Sequence, residues 1–396
     1  MKKVEFFNFS NAVGGNVISA EEITRAKELS DKVLLPEFFD ETSFNFFKEF
    51  SKDFENLFVI GTGGSSLCGN LLTNLKLGYN EGKRVFYLDN PDPNSIALIF
   101  KKGIDLKKSL FLSISKSGAT IETLAITSLL LDKVSKAGIE PKNNFLFIST
   151  IEGGHQSNFL NIAKKFDIKV VNHRATSGRF SNFHEVSLYP ALFLNLDIKS
   201  YFNSAEKFFN NLENQTDLIT LANNLLAEQG KKSSLVFMPY ADALGGLTEW
   251  FSQILAESLG KNGNFISPIK AHGTIDQHSQ LQLYLDGPND KIHLITLVEN
   301  FADDEKINIE IEGKTLNIEI GKVLYSSGVA TASVLERNKI PLIKIALQEI
   351  NEEIIGEFVA FYTSLILVLA AHLKLNPFDQ PRVEDGKKIC VEILKN

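Results

Sequence analysis

LFLSISKSGATIETLAITSLLLDKVSKA, residues 110–137, decides the fold. Its first six residues are a short apolar run of strand length. A polar loop follows at once, Ser115-Lys116-Ser117-Gly118-Ala119-Thr120. From Thr120 to Ala137 the pattern is that of a long amphipathic helix. Strand, loop and helix in that order form the building unit of a parallel sheet, because parallel strands need a crossover connection.

Working outward, the unit recurs. LFVIG (57–61), VFYLD (85–89), NFLFIS (144–149) and IKVVN (168–172) are strand-like runs separated by amphipathic segments. The pattern restarts at SLVFMP (234–239) and continues through KIHLITLV (291–298) and PLIKIAL (341–347). The expected fold is α/β in two domains, 1–195 and 196–396, each a mainly parallel sheet flanked by helices. The second domain is expected to end in a C-terminal helical segment. The Asn-rich stretch 200–230 is expected to form one connecting helix. INIEIEGKTLNIEI (307–320) alternates strictly around Glu312-Gly313-Lys314 and predicts a peripheral β-hairpin.

Composition narrows the class. The chain has 396 residues, 44% apolar and 22% charged, as in soluble globular proteins. A net charge of −7 without a basic run argues against a nucleic-acid partner. Two scattered cysteines, Cys68 and Cys390, suggest a reducing compartment, and a cytoplasmic location is expected. The N-terminal MKKVEFFNFSNAVGG has no continuous apolar stretch, so no signal peptide is expected. The apolar run 358–373 contains Tyr362, Thr363, Ser364 and His372 and is shorter than a span requires. It is expected to be a buried helix, with no membrane partner. The seven histidines form no metal-binding pair, so no metal is expected.

Right-handed crossovers place the C-terminal ends of the parallel strands on one edge, where ligands bind. Three candidate loops fall there. Gly61-Thr62-Gly63-Gly64-Ser65-Ser66 lets backbone approach a sugar-type ligand or is simply a tight turn. A dinucleotide is disfavoured because Ser66 stands at the third glycine position, although Asp89 closes the second strand. Ser115, Lys116, Ser117 and Thr120 offer hydroxyls, an ammonium and a helix start to a monophosphate. N-capping by Ser117 or Thr120 explains the same residues. Arg179, framed by Gly178 and Ser181, faces either the same cleft or solvent.

A second group lies between Trp250 and Pro288. Leu244, Leu247, Phe251, Ile254, Leu255 and Ser258 share one helical stripe. Gly246, Trp250, Gln253 and Glu257 share the opposite one and are read as lining a site. Asp276-Gln277-His278-Ser279 follows. A carboxylate and an imidazole together suit proton transfer.

GTGGSSLCG, SISKSGATIET, GRFS, ESLGK, DQHSQLQL and FDQPRVEDGK, in that order from about Phe58 to Lys388, resemble the glucose-6-phosphate isomerase family, built of two sugar-isomerase (SIS-type) domains. The resemblance implies reversible aldose–ketose isomerisation of glucose 6-phosphate and fructose 6-phosphate, with no cofactor. It makes Glu257 the catalytic base, Arg179 the cation beside the reacting carbons, His278 the ring-opening group and Lys387 the lysine at the ring oxygen. Ser115, Lys116, Ser117 and Thr120 become the phosphate loop. Gly64, Ser65, Gln253 and Gln380 become substrate-contacting positions. It also implies a homodimer whose histidine arrives from the partner chain. The sequence departs from the family at Gly118-Ala119, where Ala119 is expected to keep its N–H available, and at Arg382, where a glycine is common. A dual phosphoglucose/phosphomannose isomerase and a non-catalytic sugar-phosphate-binding regulator are the other readings. Retention of all four catalytic groups argues against the regulator.

Overall fold

Among the described residues, thirteen strands sort into a six-stranded sheet, a five-stranded sheet and a hairpin. The computed structural model describes residues 2–10, 17–101, 103–154, 156–263 and 265–395. Two compact units result, one of Lys32–Ile198 with Phe378–Asn396, the other of Met1–Asp31 with Lys199–Pro377.

The first unit holds the six-stranded sheet. Its order is Tyr79–Asn80, Lys83–Leu88, Asn56–Ile60, Ser109–Ile114, Phe145–Ser149, Val170–Asn172. Every neighbouring pair is parallel except the first, a short antiparallel edge. Asn56–Ile60, Ser109–Ile114 and Phe145–Ser149 are buried along their whole length. That is why they read as unbroken apolar runs, for helices cover both faces of such a sheet. Rings fill one layer. Phe58 stacks on Phe86 at 4.9 Å and on Phe111 at 5.2 Å, and Phe111 on Phe145 at 4.8 Å. Each offset stack contributes roughly 0.5–1.5 kcal/mol beyond its buried area.

From Asn56–Ile60 the chain steps to one side, to Lys83–Leu88, then crosses to Ser109–Ile114 on the other. Such a reversal of direction opens a crevice at the C-terminal ends of the two strands flanking it. The glycine loop and the Ser115–Thr120 loop leave from those two ends.

The second unit has the order Lys2–Phe7, Leu342–Leu347, Lys291–Val298, Ser234–Pro239, Ser267–Lys270. Only Lys2–Phe7 runs antiparallel. The division therefore departs from a cut at 195/196. Lys2–Phe7 completes the second sheet by pairing with Leu342–Leu347, and the C-terminal residues from Phe378 join the first unit. The stretch 200–230 is two helices, Ile198–Asn210 and Thr216–Glu228, broken around Leu212–Asn214. Lys306–Ile311 and Lys314–Glu319 form the expected hairpin as a separate two-stranded sheet.

The apolar run, all but its last residue, lies within a longer helix, Glu352–His372, whose 21 residues are long and apolar enough to cross a membrane. Of its most apolar window, 89% is buried inside the protein. It packs against helices Ala20–Ser30, Thr216–Glu228 and Gly245–Leu259. Asn351 caps its start by accepting the Ile354 N–H at 2.9 Å.

Candidate active site

In the first unit the glycine loop turns at Gly63, whose φ of 58° suits glycine, and opens the helix Gly64–Thr73. The next glycine has a different cause. A Cβ on Gly64 would overlap the backbone of Gly178 and Arg179. Gly64 thus lets the Gly178–Phe180 turn lie directly on the helix start that carries Ser65. Cys68, one turn on, points its Sγ at the Gly178 carbonyl at 3.5 Å. Burial pushes the Cys68 thiol far above its ordinary range, so it stays protonated. Ser66 donates to Gly63 O and to Asp89 Oδ2, at 3.2 and 3.4 Å. The two residues a dinucleotide reading singles out are therefore bonded to each other.

Arg179 is 1% exposed. Its Nη1 donates to Gln380 Oε1 at 2.6 Å and its Nη2 to Asp379 O at 3.0 Å. The Phe180 and Phe378 rings meet edge-on at 5.0 Å beside these bonds. This local clasp joins Phe378–Gln380 to the turn after Val170–Asn172. Of the two positions the sequence left open for Arg179, cleft or solvent, solvent is excluded.

In the Ser115–Thr120 loop, Ser115 Oγ donates to Thr120 Oγ1 at 3.4 Å, and the Ser115 carbonyl accepts from Ser149 Oγ at 2.7 Å. Gly118 has φ +62°, and a Cβ there would run into Ser157, so this departure from the family pattern is needed here. The Ala119 N–H, expected to be available, donates to Ser117 Oγ at 3.3 Å. Thr120 occupies the N-cap of Ile121–Lys136 but makes no side-chain capping bond. N-capping is thus not what its hydroxyl does. The first turn of a 16-residue helix lacks a side-chain cap at the end where its dipole favours an anion. Lys116 reaches across to donate to the Thr176 carbonyl. Burial, then the charge of Arg179, lowers the Lys116 pKa. Two cations near one uncapped helix start suit a doubly charged group.

Lys387 lies on the exposed helix Glu384–Lys395, paired with Glu384 at 2.7 Å. Arg382 sits in a short 3-10 turn, Pro381–Val383, whose helical backbone needs no glycine.

The second unit carries the other residues. Gln253 and Glu257, one turn apart on Gly245–Leu259, are joined from Nε2 to Oε1 at 2.9 Å. Both are half-buried. Trp250 and Gly246, read as lining the same face, are core residues, and Trp250 is fully buried. His278 is exposed, in a turn built by Asp276. The Asp276 carboxylate accepts the His272 N–H at 2.7 Å, Ser279 Oγ at 2.9 Å and Gln280 Nε2 at 2.7 Å. Desolvation opposes its charge, but these donors together hold its pKa below the usual carboxylate range. Asp276 therefore shapes the loop, and no hydrogen bond or ion pair joins it, or Glu257, to the His278 ring among the described residues.

Sequence reasoning missed two supports. Arg174 pairs with buried Glu185 at 2.6 Å and donates to Phe38 O at 3.0 Å, fixing the loop between Val170–Asn172 and Arg179. Tyr240 donates to Gln277 Oε1 at 2.9 Å and to Thr331 Oγ1 at 2.8 Å, bracing the residue next to His278. A charged pair flanking the GRFS stretch was the available signal for the first; the second carried none.

Gly64→Ala is expected to push the Gly178–Arg179 backbone off the helix start. Overpacking of this kind costs roughly 1–3 kcal/mol. A lowered urea midpoint with reduced turnover is the expected result; an unchanged pair of values would show that the close approach is dispensable.

Parallel sheets with an uncapped helix start and hydroxyl loops at a switch point define an α/β protein with a ligand crevice at its strand ends. The structure matches a glucose-6-phosphate isomerase from Chlamydia trachomatis with a TM-score of 0.75 at 21% identity, over 95% of this chain and 73% of that one. The sequence matches the family "Phosphoglucose isomerase" over residues 16–289. It is 33% identical to a probable glucose-6-phosphate isomerase of Methanococcus maripaludis, over 94% of this chain and 86% of that protein. It is likewise 33% identical to a glucose-6-phosphate isomerase of Methanocaldococcus jannaschii, covering 86% and 85%. The chain belongs to the phosphoglucose isomerase family.

Proposed function

We propose that the protein interconverts glucose 6-phosphate and fructose 6-phosphate, in glycolysis and gluconeogenesis, by proton transfer through a cis-enediolate. The observation that carries this reading is the uncapped start of Ile121–Lys136, ringed by Ser115, Lys116, Ser117 and Thr120 near buried Arg179. There the phosphate dianion docks. His278, with Lys387, moves the proton that opens the pyranose ring. Glu257 as carboxylate takes the C2 proton and returns it to C1. Arg179 holds the negative charge that develops on oxygen, and Gln380 keeps its guanidinium in place. Gly64, Ser65 and Gln253 contact the sugar.

General-base help supplies about 10²–10⁴-fold. Fixed charge at the enediolate and phosphate anchoring supply much of the remainder. Fructose 6-phosphate turnover in ²H₂O tests the scheme. The expected product carries deuterium at C2, and turnover without solvent exchange at any pH would argue for direct hydride transfer instead. Mannose 6-phosphate turnover distinguishes the dual-specificity reading.

The protein works, on this reading, as a cytoplasmic homodimer in which His278 serves the partner's Glu257. His278 is exposed and makes no ring hydrogen bond among the described residues, which supports that role. Glu257→Gln and His278→Gln chains, each inactive alone, are expected to recover about a quarter of wild-type activity when mixed and allowed to exchange, as random pairing in a twofold dimer gives. No recovery, despite demonstrated exchange, would place both groups in one chain.

A further inference from the structure

In the second unit a cavity of about 370 Å³ lies beside the start of helix Ile320–Arg337. Its walls are apolar, from Phe301, Ile320, Val323 and Leu324, and two carboxylates, Asp303 and Asp304, stand over them. The volume falls in the range of small-molecule sites. None of the groups assigned to the isomerase reaction lines it.

The contrast with the first unit fixes the ligand's charge. There a strand leads to a helix whose start is uncapped and flanked by cations. Here Glu319 at the N-cap makes no side-chain capping bond and pairs with Lys306 at 3.6 Å, but Asp304 Oδ1 accepts the Gly321 N–H at 2.8 Å. The helix start already holds an anion from its own chain. Lys306 and Lys322 act on Glu319, but it is Asp303 and Asp304 that line the cavity, and they disfavour a second anion there. A cation on an apolar body satisfies both walls. We propose that this cavity binds small amphipathic amines, an apolar group against Phe301 and Leu324 and an ammonium at Asp303.

The cavity also touches the His278 turn. Thr274 forms part of its wall, four residues before His278. The opposite wall is the helix that carries Thr331, and Thr331 is joined through Tyr240 to Gln277. A ligand touches Thr274 and Ser327, three and four residues from Gln277 and Thr331, and on this proposal shifts the His278 turn through them.

2-Phenylethylamine serves as the probe, with 2-phenylethanol and phenylacetate as neutral and anionic controls. Binding is read by calorimetry and by the Cε1–H signal of His278, assigned by its loss in His278→Gln. The amine is expected to bind about fivefold tighter than the alcohol, the scale of a partly exposed charge pair, with phenylacetate weakest. Asp303 is exposed, so Asp303→Asn leaves the fold intact and is expected to bring amine and alcohol within about twofold. Ser327→Phe fills the cavity and is expected to abolish saturable binding. Equal binding of all three probes, or amine binding unchanged in both variants, overturns the site. A His278 signal that does not move at saturation overturns the coupling.

Discussion

Glu257→Gln is expected to lower kcat by about 10³-fold or more, at the upper part of the range for a lost general base. The substitution is nearly isosteric. Its side-chain oxygen can still accept from Gln253 Nε2, the partner of Glu257 Oε1 at 2.9 Å. Helix Gly245–Leu259 keeps its buried stripe of Leu247, Phe251, Ile254 and Leu255, so the fold is unaffected. What is lost is the ability to take a proton from carbon. KM is expected to change by less than about threefold, because on the proposed scheme the group acts in the transition state rather than in binding. Steady-state kinetics with far-ultraviolet circular dichroism check both halves. A folded Glu257→Gln protein with full activity would remove the carboxylate from the mechanism.

The loop side of this site was more legible in the sequence than the geometry that supports it. Buried parallel strands announce themselves as apolar runs, and Ser234–Pro239 and Lys291–Val298 coincide with theirs. Edge strands do not. Ser267–Lys270 contains Pro268, and Lys2–Phe7 mixes charge with aromatics and pairs with Leu342–Leu347 far along the chain. No local pattern encodes such a pairing. Arg179 illustrates the same limit. Its spacing from glycine marks it, yet whether it faces solvent depends on Asp379 and Gln380, some 200 positions away. Two groups were legible but misread. Asp276 looks like a proton-transfer partner for His278 and instead ties the turn together. Trp250 shares a helical stripe with Glu257, but a stripe is wide, and its first turns can be core while its last turn lines a site. The uncapped Thr120 is the converse case. Sequence permits both a cap and an anion cradle, and only the backbone geometry shows that the hydroxyl is not used as a cap.

Mild acid is expected to unfold the protein well above the pH at which its carboxylates titrate. His173, His184 and His293 are 4%, 1% and 0% exposed, and no ring nitrogen of the three has a hydrogen-bond partner among the described residues. Burial first, then nearby Lys116, lowers His173 to about 4. Burial and the charges of Arg174, His173 and Lys116 lower His184 to about 3. His293, against the Tyr284 ring at 4.7 Å, is lowered to about 3 by burial and by Lys291 and Lys232. All three are neutral in the folded chain at pH 6, where the unfolded chain, with pKa near 6.5, binds protons. Stability is therefore full above about pH 6.5 and falls as pH drops toward 4, because the unfolded state gains protons the folded state cannot. Three such groups remove about 5 kcal/mol between pH 6.5 and pH 5, a large share of a typical 5–15 kcal/mol. Glu185 works the other way, since burial raises its pKa despite Arg174, so its contribution favours the folded state as pH falls. One group of opposite sign does not cancel three. Urea unfolding followed by the fluorescence of Trp250, the single tryptophan, is expected to show a midpoint that drops steeply from pH 7 to pH 5. His293→Phe replaces an unpartnered buried ring by an apolar one of similar shape and removes one titrating group. It is expected to raise the midpoint and to reduce the slope by about 1.4 kcal/mol per pH unit. A midpoint flat from pH 7 to pH 5, or a His293→Phe slope equal to wild type, would show that these imidazoles keep ordinary pKa values in the folded chain.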